Sequence, residues 1–331
     1  MFFTAATVPT PEIVWWALVP LIVLSLAGLL LLTVSSLMKK QITWLAPLWT
    51  VGSGLIVLVS SVPIWKKVQT DGETTFLSNS VGIDGSSVFI IALLAIALIA
   101  ASLIAYPYLK NEILPNVELN VLLLLSAAGG VVMAMANDLI VLFLGIEILS
   151  IAVYVLAALH LRRIESQEGA IKYFILGAFS SAFMLYGIAL IYGATGSTNL
   201  VKINSFIASS LLVEDGMLMA GLAMLMVGLG FKVAAVPFHS WTPDAYQGAP
   251  TPVTAWMAAG VKAAGFAAFL RVFVLAFGPY ANDWKTPIAV LAGLTVVFGA
   301  VVAVVQNDIK RMLAYSSITH AGFILIGVHA A

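Results

Sequence analysis

Ten apolar stretches, each long enough to cross a bilayer, follow one another along this chain and leave little room for another architecture. A spanning helix needs about 20 mostly apolar residues, since each adds ~1.5 Å across a hydrocarbon core ~30 Å thick. The stretches are Ile13–Leu37, Trp44–Ile64, Ser87–Leu109, Val117–Ala136, Asp138–His160, Ala170–Tyr192, Gly216–Pro237, Pro252–Phe277, Thr286–Val305 and Ile309–Val328. Lipid offers backbone groups no water, so runs of this length specify helices. Of 331 residues 62% are hydrophobic and only 9% charged, against about 25% charged in a soluble domain. The sequence therefore predicts an all-α polytopic membrane protein of about ten transmembrane helices. Trp15, Trp16, Trp44 and Trp65 near span ends fit an interfacial belt. Residues Met1–Thr10 lack a basic n-region, so no cleavable signal peptide is expected.

The seventh stretch breaks the pattern. From Gly216 to Gly248 the chain stays mostly apolar or aromatic, longer than the membrane core requires, and it carries Pro237. Proline lacks an N–H and clashes with the carbonyl four residues back. The economical reading is a discontinuous seventh helix, one half ending near Lys232–Val236 and the other covering Phe238–Gly248. Irregular backbone at membrane depth is tolerated only inside protein or beside a water-filled cavity. Gly228 and Gly230 are expected to loosen the chain just before Lys232.

Charges inside the spans are the candidate functional residues, because a lysine at mid-helix costs about 2.5–3.5 kcal/mol on insertion scales. Glu147 lies nine residues past Asp138 and Lys262 ten past Pro252, both near mid-membrane. Lys232 precedes the break and is the natural partner of Glu147; separating the two would release a proton. Against this stands the plain alternative that these charges only bridge helices. Lys172, a few residues into the sixth stretch, reads equally as a snorkelling anchor. His239 after the break and His320, within AYSSITHAGF, suit either a proton relay or an interhelical hydrogen bond. Asp138, Asp244 and Asp308 sit at helix starts or in loops, where a carboxylate complements the helix dipole. Lys66–Gly85 reads as a soluble loop, and Asn199–Leu212 as a segment lying along the interface.

A weak internal repeat aligns VVMAMANDLI at Val131–Ile140 with VVAVVQNDIK at Val301–Lys310, an offset of 170 residues, 301 minus 131. Five spans separate the two copies, so they run oppositely through the membrane, the mark of inverted-repeat transporters. The same offset carries Lys232 to position 402, beyond Ala331, so a second broken helix is expected to be missing and the chain to be truncated on its C-terminal side. The organisation expected is residues 1–116 as three leading helices, 117–277 as a first five-helix repeat and 278–331 as an incomplete second one. With the N-terminus outside, inner loops hold seven basic residues (Lys39, Lys40, Lys110, Arg162, Arg163, Lys310, Arg311) and outer loops four (Lys66, Lys67, Lys202, Lys285), with Arg271 near the outer side. That asymmetry predicts an outer N-terminus.

Several chemistries are excluded. Cysteine is absent, which removes disulfides and thiolate-held clusters, and the four histidines do not form haem-ligand pairs. No phosphate-binding glycine loop occurs, and zero net charge gives no hint of nucleic acid. No cofactor is expected in this chain.

Three runs carry a resemblance: GLGFKVAAVPFHSWTPDAYQGAPTPVTA, NDIKRMLAYSSITHAGFILIG and KYFILGAFSSAFMLYG. Together, over about Leu122–Gly327, the chain resembles the antiporter-like membrane subunits of proton-translocating NADH–quinone oxidoreductase (respiratory complex I) and of Mrp-type antiporters; WTPDAYQGAPTPVTA resembles the subunit N branch. The resemblance implies an inverted-repeat antiporter-like fold and a polar axis conducting protons. On it the family's buried glutamate falls on Glu147, its lysines on Lys172, Lys232 and Lys262, and its histidine on His320. It implies other membrane-arm subunits as partners besides the bilayer, with NADH and quinone bound elsewhere, and a bacterial inner membrane as location. Members usually carry more spans than the ten read here. The competing expectations are a stand-alone cation/proton antiporter or secondary transporter, and a scaffold whose charges only lock helices.

Overall fold

The computed structural model describes residues 12–38, 44–209 and 215–331. Among them are ten helices long and apolar enough to cross a membrane. They are α1 (Trp15–Leu37), α2 (Leu45–Asp71), α3 (Gly85–Glu112), α4 (Asn116–Met135), α5 (Leu139–Ala157) and α6 (Ile164–Thr195). After a short α7 (Leu200–Ser209) come α8 (Gly216–Val233), a seven-residue α9 (Thr242–Gly248), α10 (Thr251–Ala276), α11 (Ala281–Val304) and α12 (Ile309–Ala330). Every expected apolar run became a helix, with ends shifted by a few residues. The two basic residues Lys39 and Lys40 of the expected inner loop, and Met1–Thr10, lie outside the described residues.

The expected soluble loop Lys66–Gly85 is not a loop. The second helix continues to Asp71, where Gly72 stops it at φ 81°. A hairpin follows, β1 (Thr74–Phe76) against β2 (Val81–Ile83). It is tied down by polar side chains: Asn137 Nδ2 and Asn199 Nδ2 both donate to the Asn79 carbonyl, at 2.8 and 2.7 Å. Asp84 then caps α3, accepting from the Ser87 N–H at 2.7 Å. Propensity alone did not reveal this because the hairpin is stabilised by residues 58 and 120 positions away.

Asp138 and Asp308, expected at helix starts, do cap α5 and α12, accepting from Ile140 N at 2.8 Å and Arg311 N at 2.9 Å. The buried side of α7 is Leu200, Ile203 and Ile207, one helical stripe, and Asn204 ties it to the Leu275 carbonyl at 2.8 Å. The rest of the expected interfacial segment, residues 210–212, lies outside the described residues.

Candidate functional site

The eighth helix stops at Val233, as the sequence required, but the second half is shorter than expected: only Thr242–Gly248 is helical, not Phe238–Gly248. Ala234 takes the left-handed conformation, φ 62°, and the Ala235 N–H returns to the Gly230 carbonyl at 2.8 Å, closing the helix end. Two further bonds satisfy groups freed by the break. Thr295 Oγ1 of α11 accepts from Val236 N at 2.9 Å, and Trp241 Nε1 donates to the Phe231 carbonyl at 3.1 Å. Gly228 and Gly230 are not loosening elements. They let neighbours in: a Cβ would stand 2.7 Å from Met184 Cβ and 2.8 Å from Phe238 Cδ2 respectively.

This stop leaves Lys232 in the last turn of α8, only 3% exposed. Its Nζ donates to Ser150 Oγ of α5 at 2.6 Å, and Ser150 in turn donates to the Ile146 carbonyl. Glu147 lies three residues before Ser150 on the same helix, half-buried, and accepts from the Ser181 hydroxyl of α6. The expected direct contact between Glu147 and Lys232 is therefore not made; no ion pair joins them, and each is held by a hydroxyl. The cavity beside Lys232 that Ser150, Ser180 and Ser181 line is about 10 Å³, room for about one water centre.

Lys262, 5% exposed, sits between wide π-helical turns of α10. Its Nζ donates to both the backbone carbonyl and Oγ of Ser317 on α12, each at 2.7 Å. Unlike Lys232 it borders a large groove, about 720 Å³, between α3, α10 and α12, with Ser316, Ser317 and His320 on its wall. His320 is itself exposed there. The two lysine sites abut: a Cβ on Gly265, one turn past Lys262, would lie 2.9 Å from Val233 Cγ1 and 3.6 Å from Lys232 Cγ. A row of buried aromatics also joins them. Tyr173 lies 5.9 Å from Lys232 Nζ, stacks on Trp241 at 4.1 Å, and Trp241 meets Tyr246, whose ring is 5.9 Å from Lys262 Nζ.

Lys172 and His239 stand apart from these contacts. Lys172 has a 44% exposed side chain and binds Glu168 Oε1 at 2.6 Å and Asp244 Oδ2 at 2.7 Å. Asp244 lies in the first turn of α9, as expected of a helix-start carboxylate, and it also bridges helices: Arg311 Nη1 of α12 reaches its other oxygen at 2.7 Å. Burial pushes the Asp244 carboxyl up, but hydrogen bonds and charge from Lys172 and Arg311 outweigh it and hold it below the usual aspartate range. His239 lies half-buried in the link after α8, its ring edge-on to Phe298 at 4.8 Å.

Sequence reasoning missed one buried cation. Arg271 was placed near the outer loops, yet it is 5% exposed, its Nε donating to the Ala134 carbonyl at 2.6 Å and its Nη2 to Asp84 Oδ2 at 2.7 Å. It sits nine residues past Lys262 on the same helix, and that position, still within the apolar run, was the signal available. Burial raises the Asp84 carboxyl, but Arg271 and hydrogen bonds from Ser86 and Ser87 bring it net below its ordinary value.

The comparisons agree with one another. Residues 136–331 match the profile of the NADH:quinone oxidoreductase/Mrp antiporter transmembrane family. The chain is 42% identical over 314 residues to NADH-quinone oxidoreductase subunit N of Trichlorobacter lovleyi, covering 94% of this chain and 63% of that one. It is 51% identical over 216 residues to the subunit N of a Nocardioides species, covering 65% of this chain and 40% of the relative. It thus spans less than two thirds of the length of these relatives. Among solved structures, a chain of respiratory complex I from Thermus thermophilus with bound aureothin superposes with a TM-score of 0.77 at 34% identity, over 93% of this chain and 64% of that one. A chain of the Mrp complex from a Dietzia species shares the fold, TM-score 0.80, at 20% identity over 96% of this chain and 59% of its own. With ten apolar helices, a broken eighth helix bearing a buried lysine, and a profile matched along most of its length, this chain belongs to the NADH:quinone oxidoreductase/Mrp antiporter transmembrane family.

Proposed function

We propose that this chain is a proton-translocating membrane subunit of an NADH–quinone oxidoreductase, itself without redox chemistry or cofactor. NADH and quinone would be bound by other subunits, and quinone reduction there would drive proton movement here. The observation that carries this reading is the pair of abutting lysines, Lys232 and Lys262, buried within spans and bonded to neutral serine acceptors rather than carboxylates. A lysine so held can give up its proton without stranding a partner carboxylate, which a permanent structural ion pair cannot do.

In the proposed sequence, Lys232 and Glu147 form the switchable pair, Lys262 receives the proton, and Ser317 and His320 carry it into the groove on the α12 side. Lys172 and His239 serve access from the α9 end, where Lys172, Asp244 and Arg311 are linked. The assembly would sit in a bacterial inner membrane beside other membrane-arm subunits, N-terminus outside, with residues 117–277 as a first five-helix repeat and 278–331 as an incomplete second, inverted one.

The test is Lys232→Ala in the assembled, reconstituted complex. Quinone reduction is expected to run without proton uptake across the vesicle membrane; full pumping in that variant overturns the role. Sodium-for-proton exchange by the chain alone in liposomes would favour the stand-alone antiporter instead.

A further inference from the structure

The hydroxyls between Glu147 and Lys232 carry a second inference, which rests on the proposed switch between those two residues. Ser150 spends its proton on the Ile146 carbonyl one turn back, so toward Lys232 it can only accept. Lys232 Nζ donates to that oxygen at 2.6 Å. Ser181 from α6, which lines the same small cavity as Ser150 and Lys232, donates to Glu147 Oε1. Each charged group thus has a neutral partner of matching polarity, an acceptor for the ammonium and a donor for the carboxylate. Both serines come from helices that flank the cleft, α5 and α6, while the lysine comes from the end of α8.

We propose that Ser150 and Ser181 are positioning residues that hold Lys232 and Glu147 apart, so that the structure is the separated form of the switch and the pair closes when either hydroxyl bond is given up. The argument is one of competition. Glu147 and Ser150 are three residues apart on one helix, so they present neighbouring acceptors on nearly the same face. Lys232, reaching Ser150 from α8 at 2.6 Å, thus lies about one helical turn from the second acceptor. Losing the Ser150 acceptor leaves a buried ammonium without a partner, and the carboxylate beside it is then the acceptor it takes. Losing the Ser181 donor leaves Glu147 short of a bond and draws the ammonium across from the other side. The serines are well suited to this work: a hydroxyl is a weaker partner for a cation than a carboxylate, so the separated form is held without being locked.

The test is a distance measurement that does not depend on transport. The full chain in lipid is labelled with 15Nζ-lysine and with 13C at the aspartate and glutamate carboxyls, and nitrogen–carbon dipolar couplings are read by solid-state NMR. Lys172, at 2.6 Å from Glu168 and 2.7 Å from Asp244, supplies the reference coupling and reports that α6 and α9 still meet. The wild type is expected to show no close Lys232–Glu147 coupling. Ser150→Ala is expected to gain one, which vanishes when Lys232→Met is added. Ser150→Thr, whose hydroxyl can make the same back-bond to the preceding turn, is expected to restore the separation. Ser181→Ala is expected to gain the coupling too. A close coupling already present in the wild type, or none gained in Ser150→Ala with the Lys172 reference intact, overturns the proposal. In the assembled complex Ser150→Ala is expected to slow proton pumping on the order of tenfold, and Ser150→Thr to recover most of it. If the chain pumps no protons at all the couplings are unchanged, so failure of the functional reading and failure of this one are read separately.

Discussion

Among the described residues, three cations, Lys232, Lys262 and Arg271, are buried within membrane-spanning helices, and they are not treated alike. Arg271 is given a carboxylate: Asp84 Oδ2 at 2.7 Å, with the Ala134 carbonyl at 2.6 Å completing its fork. Lys232 and Lys262 are given serines. Guanidinium does not lose its proton in proteins, so an opposite fixed charge is its natural partner. That pair joins the capped start of α3 to the far end of α10 and the end of α4, three helices at the hairpin end. The lysines link helices too, α8 to α5 and α10 to α12, but through neutral acceptors. The lesson is that burial alone does not tell one buried cation from another; the charge of the partner does.

The sharpest way to break that contrast is to treat Arg271 as the lysines are treated. Asp84→Ala leaves a buried guanidinium without its carboxylate and removes the cap of α3. It is expected to cost about 3–5 kcal/mol, measured as thermal unfolding in detergent. The Asp84→Val/Arg271→Met double variant is expected to lose less than Asp84→Ala alone, because no buried charge is then stranded. The pair also has a pH signature. The Asp84 carboxyl is depressed in the fold, so its contribution is present above the unfolded aspartate value of about 4 and is lost as pH falls through the lower folded value. Thermal stability due to this pair is therefore expected to be flat from neutral pH down to about 4 and to fall below it. If Asp84→Ala melts like the wild type, the distinction between Arg271 and the lysines fails.

The next contrast lies between the two lysines themselves. Lys232 has one hydroxyl acceptor; Lys262 has a hydroxyl and a backbone carbonyl of the same residue. Ser150→Ala therefore removes the only hydrogen-bond acceptor Lys232 has among the described residues, and is expected to cost about 1.5–3 kcal/mol before any compensating contact with Glu147. Ser317→Ala leaves Lys262 its carbonyl and opens onto a groove where water can replace the hydroxyl, so about 0.5–1 kcal/mol is expected. Parallel unfolding of the two variants checks the difference, and equal losses would mean that the surroundings of the two lysines are energetically the same.

Much of this was legible beforehand, for definable reasons. Helix number followed from apolar length, since a bilayer allows few alternatives. Glu147, Lys232 and Lys262 stood out because charge in an apolar run is costly wherever the run folds. The partners did not stand out. Ser150 and Ser181 are ordinary residues in a membrane helix, and only the packing of α5, α6 and α8 turns their hydroxyls toward the charges. Opposite charge within the spans made a direct Glu147–Lys232 pair the natural expectation, and the hydroxyls that bond each of them are what sequence could not supply. The hairpin after α2 was hidden likewise, because its hold comes from Asn137 and Asn199, far along the chain. Arg271 was read only as a cation near the outer side, and its burial at the π-helical end of α10 depends on Asp84 and Ala134, far along the chain.

Backbone geometry separates the lysine sites once more, and gives the smallest of the expected effects. Lys232 precedes a helix stop whose turn is made by Ala234 at φ 62°, a conformation that glycine adopts without the Cβ penalty. Lys262 follows Ala259 in a helix that continues through wide turns without reversing. The same substitution should therefore act in opposite directions. Ala234→Gly removes the Cβ clash at the stop, partly offset by a more flexible unfolded chain, and is expected to raise stability by roughly 0.5 kcal/mol. Ala259→Gly has no clash to relieve and adds only flexibility, so it is expected to lower stability by about 1 kcal/mol. A loss at both positions would show that Ala234 is held in place by contacts of its methyl group, and that the stop beside Lys232 is built for rigidity; a gain at 234 alone shows that the left-handed turn is maintained against its own strain by the bonds from Thr295 and Trp241 that close the break.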